Sequence, residues 1–238
     1  MKFKYILGGI NWGVILLVLF GGMMLFQSIP EDIIALKPAI SFEDMLEEGT
    51  EVKAGAHVSG KVPYVFDAFA SEETYTRYND GSRSGGKASG AYYLVPTAEA
   101  FIAIKGRQAD VAVLDDLIEE TWVYMMTGEE PAAEFSMEGK TEALEPQLAG
   151  YFRDYLRDEL EVSDEVIESL GDPLVVRTVN FTAGWVMTAI GLVLVLLGAL
   201  LFRRGYRIAR YGSGLSRAED LPDVPVHNAA RPFDGADD

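Results

Sequence analysis

Cysteine is missing from all 238 residues, which rules out disulfides, thiolate nucleophiles and cysteine metal ligands together. Histidine is nearly missing as well, because the chain has only His57 and His227. Any histidine-based acid–base or metal chemistry must therefore centre on one of those two rings. Positive charge is scarce in the middle of the chain. Between Gln27 and Asn180 there are 31 Asp and Glu against 12 Lys and Arg, a net of −19. An acidic segment of that kind repels phosphates and excludes nucleic acid as a partner. Charge of either sign is absent from two long stretches, Tyr5 to Phe26 and Phe181 to Phe202.

Those two uncharged stretches set the expected layout. The second, FTAGWVMTAIGLVLVLLGALLF, would reach roughly 33 Å as a helix, enough to cross a hydrocarbon core of about 30 Å. Arg203, Arg204, Arg207 and Arg210 follow it directly, and Lys2 and Lys4 precede the first stretch. Basic residues mark the cytoplasmic side of short loops, so both ends are expected there, with the domain between them outside. The N-terminal run is longer than a signal-peptide core and lacks a small-residue cleavage site, which reads as an uncleaved signal anchor. The expected organisation is residues 1–4 as a cytoplasmic N-terminus, 5–26 as a first span and 27–180 as an extracytoplasmic domain. Residues 181–202 form a second span and 203–238 a mostly disordered cytoplasmic tail. The bilayer is the first expected partner, and a membrane or envelope protein the second. No oligomeric state can be read from these residues.

Small residues punctuate both spans. Gly9 and Gly13 form a GxxxG, and Gly184, Gly191 and Gly198 recur at seven-residue steps, a pattern that lets helix backbones approach in lipid. Asn11 is polar, yet a conduction path needs more than one such group, so a channel or transporter is not expected.

About 150 residues remain for one folded domain. Ser41-x-x-Asp44 is a capping pattern that predicts a short helix over 42–48. Residues 51–59, 61–70, 91–96, 100–105, 134–144 and 174–179 have strand composition, with Gly60 expected to separate the first two. Helical periodicity covers 109–127, with Val111, Leu114, Leu117, Ile118, Trp122 and Met125 as the apolar stripe, and also 146–160; Ser163 opens a third short helix. The expected fold class is α+β, with several strands mostly early and two to four helices mostly late.

Candidate chemistry is sparse. Residues 81–87 match the G-x-x-x-x-G-K of a phosphate loop, but Ala88 replaces the magnesium-binding hydroxyl and a β-like run follows. Arg83 and Lys87 are therefore read as part of a surface loop over 77–90, able to touch a ligand or partner. Asp115 with Glu119, and Asp116 with Glu120, stand at i, i+4, a spacing that can share a divalent cation or simply face solvent. His57 could serve a Ser-His-Asp set or be structural, and Asp67 lies among Phe66, Ala68 and Phe69. No cofactor, metal or catalytic residue is assigned. His57, Asp67, Arg83, Lys87, Asp115 and Glu119 remain as contact candidates.

His57-Val58-x-Gly60-x-Val62, Tyr64 to Asp67 and Tyr92 to Pro96, set between an anchor and a C-terminal span, resemble uncharacterised two-span membrane proteins of clostridial and related Gram-positive bacteria. That resemblance implies no assigned activity. The run Val58 to Val62 is also similar to the domain between the spans of mitochondrial membrane ubiquitin ligases. The RING cysteines behind their activity are absent, so no ligase function follows. Three functional classes stay open: a non-enzymatic binding or scaffold module, a membrane-bound hydrolase or metal-dependent enzyme, and an accessory subunit of a membrane complex.

Overall fold

The computed structural model describes residues 12–79, 82–98 and 100–215. It divides into two compact units, one formed by the chain up to Phe26 and from Thr188 onward, the other by Gln27–Met187. The expectations placed on Gly9, Asn11, the N-terminal lysines and the tail beyond residue 215 lie outside the described residues.

The smaller unit is a helix pair. Helix α1, Trp12–Ala35, and the last helix, α6, Phe181–Leu215, are both long and apolar enough to span a membrane. Each runs past the uncharged stretch that announces it. α1 continues through Pro30, and α6 remains helical through the arginine cluster. The two lie close where glycine removes the side chain. A Cβ on Gly21 would come within 2.8 Å of the Gly191 carbonyl oxygen, and one on Gly198 within 2.7 Å of Val18 Cγ2.

The larger unit is an α+β domain built on a six-stranded mixed sheet. Its elements are α2 (Phe42–Glu47), β1 (His57–Val62), β2 (Asp67–Thr74), β3 (Lys87–Pro96), β4 (Phe101–Arg107) and α3 (Val111–Thr127). They continue with β5 (Phe135–Ala143), α4 (Pro146–Asp158), α5 (Asp164–Ser169) and β6 (Leu174–Thr178). Strand order is β1-β5-β6-β4-β3-β2, and only the β4–β6 pairing is parallel. The late strands β5 and β6 insert between the early ones. Along the chain four of the six strands come before Val111 and three of the four domain helices from it onward, so strands are mostly early and helices mostly late, while order in the sheet does not follow order in the chain.

Both faces of the sheet are covered, which explains why Ala91-Tyr-Tyr-Leu-Val95 reads as an unbroken apolar run. Tyr93, Val95, Ile102, Ile104 and Val176 point to a core closed by Phe42 and Met45 of α2 and Leu114 and Leu117 of α3. The alternate residues Tyr92, Leu94, Ala103 and Val175 face a second core under Phe152 and Leu156 of α4 and Ile167 of α5. Each fully buried Leu or Ile in these layers contributes about 1.5–3 kcal/mol by leaving water.

Local signals act as their chemistry dictates. Ser41 Oγ accepts the Asp44 amide and the Asp44 carboxylate accepts the Ser41 amide, a complete capping box. Gly128, at φ 75°, closes α3. Three expectations need correction. Gly60 does not separate two strands but sits inside β1 at φ 136°, a conformation open to glycine. Met125 and Trp122 do not belong to the buried stripe of α3; they are exposed, and Thr121 takes the inward place. Its hydroxyl donates to the Leu117 carbonyl at 2.7 Å and accepts the Val65 amide at 3.1 Å, so a polar side chain fits the core. Residues 51–56 precede β1 without forming a strand, although the Gly55 amide and the Ala56 carbonyl pair with the backbone of Thr141 on β5 at 2.8 and 3.1 Å.

Candidate functional site

His57 opens β1 and is buried. Its Nε2 lies 3.0 Å from Glu138 Oε1 and its Nδ1 3.3 Å from the Lys37 carbonyl oxygen. The ring meets Phe181 edge-on at a centroid distance of 4.8 Å. Both nitrogens thus have protein acceptors, and the imidazole joins β1, β5, the chain after α1 and the first residue of α6. That is a structural tie. Close by, Lys140 bridges Glu31 at 3.6 Å and Glu142 at 3.0 Å, and a Cβ on Gly184 would come within 2.8 Å of Asp32 Oδ1.

Asp67 lies on β2, at the opposite edge of the sheet from His57. Its Oδ2 accepts the Tyr155 hydroxyl at 2.8 Å, linking the edge strand to α4. Burial, followed by that hydrogen bond to a carboxylate, pushes the Tyr155 phenol above its usual range.

Arg83 and Lys87 belong to one hairpin. The polar stretch between β2 and β3 folds back on itself, with the Tyr78 amide donating to the Ser82 carbonyl at 2.9 Å and the Ser84 amide to the Thr76 carbonyl at 2.9 Å. The Arg83 guanidinium sits 4.4 Å over the Tyr75 ring. Lys87 is the first residue of β3, so a strand stands where a phosphate loop requires a helix. Residues 80 and 81 lie outside the described residues.

Asp115 and Glu119 share an exposed stripe of α3. Glu120 turns away from them, its Oε2 accepting the Ala133 amide at 2.7 Å and pinning the loop that follows the helix. Among the described residues no three His, Asp or Glu side chains are placed to hold a metal ion. Gly191 faces the Gly21 carbonyl and Leu25, Gly198 faces Val18, and Gly13 is exposed.

The candidates are thus spread over β1, β2, a hairpin and the outside of α3. The best-formed concavity lies elsewhere. A cleft of about 490 Å³ opens between α4, α5, the loop after α2 and the β3–β4 turn, at the end of β6 opposite the one that leads into α6. Ile102, Phe152, Leu156 and Ile167 are buried and floor it, while Thr50, Glu51, Thr97, Arg153, Ser169 and Asp172 bring polar groups to it. Several of these are positioned by local bonds. Thr97 Oγ1 accepts the Ala100 amide at 3.1 Å, and Ser169 Oγ donates to the Val166 carbonyl at 2.6 Å. Arg153 is held loosely, 3.4 Å from the Gly171 carbonyl and 3.7 Å from Asp172, and keeps donors to offer. A cleft of this size with an apolar floor and convergent polar groups suits a small ligand or a peptide end.

Sequence reasoning missed it for a physical reason. Phe152 and Leu156 are legible as a helix stripe, but the walls come from four segments, between Met45 and Leu174 and so up to 129 positions apart, and only the sheet brings them together.

No curated protein and no solved structure matches the chain. One family does, over residues 5–203, which takes in both uncharged stretches and the whole sheet domain: the chain belongs to the family described as a domain of unknown function, DUF8577.

Proposed function

We propose that this protein is a membrane-anchored binding module, non-enzymatic, whose folded unit engages a partner protein or an envelope ligand. α1 and α6 act as two membrane spans and both termini lie in the cytoplasm, oriented by Lys2, Lys4 and the arginines from Arg203. The sheet domain then faces outside, between two spans, the layout in which the sequence resembles two-span membrane proteins of clostridial and related Gram-positive bacteria. The observation that carries the reading is the cleft. It offers an apolar floor, oriented hydroxyls and one loosely held guanidinium, and among the described residues no histidine lines it. His57, the ring best suited to proton transfer, is committed instead to Glu138 and Lys37. Such a lining recognises a molecule without an evident means of transforming it.

A crosslinking pull-down from native membranes tests this, using a photoreactive side chain at position 97 on the cleft. One specific companion or ligand is expected on the bait. Recovery of the bait alone sinks the reading.

A further inference from the structure

We infer that the outer face of α3 is a docking surface for a basic, amphipathic segment of a partner protein. The inference rests on the reading of the folded unit as a binding module and names the chemistry of its partner. Trp122, Val123, Met125 and Met126 are 40, 41, 56 and 77% exposed, on a helix whose other side is packed into the core. Four large apolar side chains together on one helical turn and a half are not the scattered singles of an ordinary surface. Trp122 is also held in place before any partner arrives. Its Nε1 donates to the Phe66 carbonyl at 3.0 Å and its ring meets Phe66 edge-on at 5.6 Å. An aromatic anchor already fixed loses little entropy on binding, and the flanking methionines adapt their shape to what lies on them.

Charge identifies the occupant. Asp115, Glu119, Trp122 and Met126 stand at i, i+4, i+7 and i+11, one stripe along the helix, acidic in its first half and apolar in its second. Asp116 flanks the acidic half, and Glu129 and Glu130 follow the apolar one, all exposed. An anionic lipid surface would be repelled by both flanks. A second copy of this chain would set the same acids against one another, in a domain that already carries −19 between Gln27 and Asn180. A helix with lysines or arginines beside an apolar stripe satisfies both halves, its cations on the carboxylates and its side chains on Trp122 and Met126.

The test uses the full chain in phosphatidylcholine nanodiscs and a labelled, short amphipathic lysine–leucine peptide, with empty discs subtracting binding to lipid. Trp122 braces Phe66, so Met126→Ser, at an exposed position, is the cleaner apolar variant. Met126→Ser and the pair Asp115→Asn with Glu119→Gln are each expected to weaken binding roughly tenfold, the usual cost of losing a central contact. The pair Asp158→Asn with Glu165→Gln removes equal charge from α4 and α5 and is expected to leave affinity unchanged. Equal affinity in all variants, or none above empty discs, overturns the surface. So does a self-association of the discs that Met126→Ser abolishes, because a second copy is then the occupant. A companion captured from position 97, combined with peptide affinity indifferent to Met126, removes the α3 surface and leaves the binding-module reading standing. No companion from position 97 removes the binding-module reading and, with it, the α3 surface that rests on it.

Discussion

At the scale of single residues, polar groups here hold the sheet together rather than gather for chemistry. Lys105 on β4 reaches across β3 to Glu72 on β2 at 2.7 Å, passing 5.4 Å from the Tyr92 ring centroid. The hydrogen bond from Lys105 holds the Glu72 carboxyl below the usual range, against a smaller opposing effect of burial. Burial works against the Lys105 ammonium, yet Glu72 and Tyr92 outweigh it and keep its pKa raised. Because the Glu72 carboxyl binds its proton less readily in the fold than in the unfolded chain, its contribution is complete above the ordinary glutamate range. It is lost as pH falls through the lowered value. The pair is partly exposed, so Glu72→Gln should cost no more than about 1 kcal/mol at neutral pH. The gap between variant and wild type should shrink in acid, as followed by thermal unfolding across pH. A gap that grows in acid would contradict the pairing.

Two glycines test packing at the same scale with opposite signs. A Cβ on Gly139 of β5 would collide with the Arg177 carbonyl of β6, backbone against backbone, with no flexible side chain to yield. Gly139→Ala should destabilise by about 2 kcal/mol or more. Gly150, inside α4, has nothing within 4 Å of its absent Cβ, so Gly150→Ala should stabilise by about 0.5–1 kcal/mol through helix propensity. Denaturant midpoints of the two variants on either side of wild type would match this. Both on one side would not.

At the scale of elements, two apolar helices that span a membrane, as proposed for α1 and α6, depend on close approach rather than on burial of apolar surface, since lipid is as apolar as leucine. Gly21 and Gly191 meet through backbone atoms, and Gly198 receives Val18. Gly191→Leu and Gly198→Leu should therefore separate α1 from α6. The chain has no cysteine of its own, so a pair introduced at Val18 and Gly198 can be crosslinked without background. Crosslinking should be efficient in the otherwise native chain and should fall several-fold when Gly191→Leu is added; unchanged yield would show that the glycines do not set the approach. α3 illustrates the limit of periodicity. Leu114 and Leu117 are found by their spacing, but Trp122 and Met125 share that spacing and remain outside. Spacing carries no information on how far a partner layer extends.

At the scale of the whole molecule, the same absence of cysteine allows orientation to be measured directly. Single cysteines at exposed Glu73 and at position 230 should react oppositely with a membrane-impermeant maleimide on intact cells. Label at 73 and none at 230 is expected. The reverse pattern would turn the proposed topology around.

The linear chain was enough to mark two apolar helices, an acidic α+β domain, the capping box at Ser41 and the stop at Gly128. Each depends on residues within a turn or two, or on composition over a span-length window. It was not enough to place β5 and β6 in the middle of the sheet or to assign His57 and Asp67 to opposite edges. Nor could it assemble the cleft from Thr50, Thr97, Arg153 and Leu174. Those outcomes depend on pairings between positions tens of residues apart, where many registers satisfy the same local pattern. Packing selects among them, by burying both faces of one sheet at once.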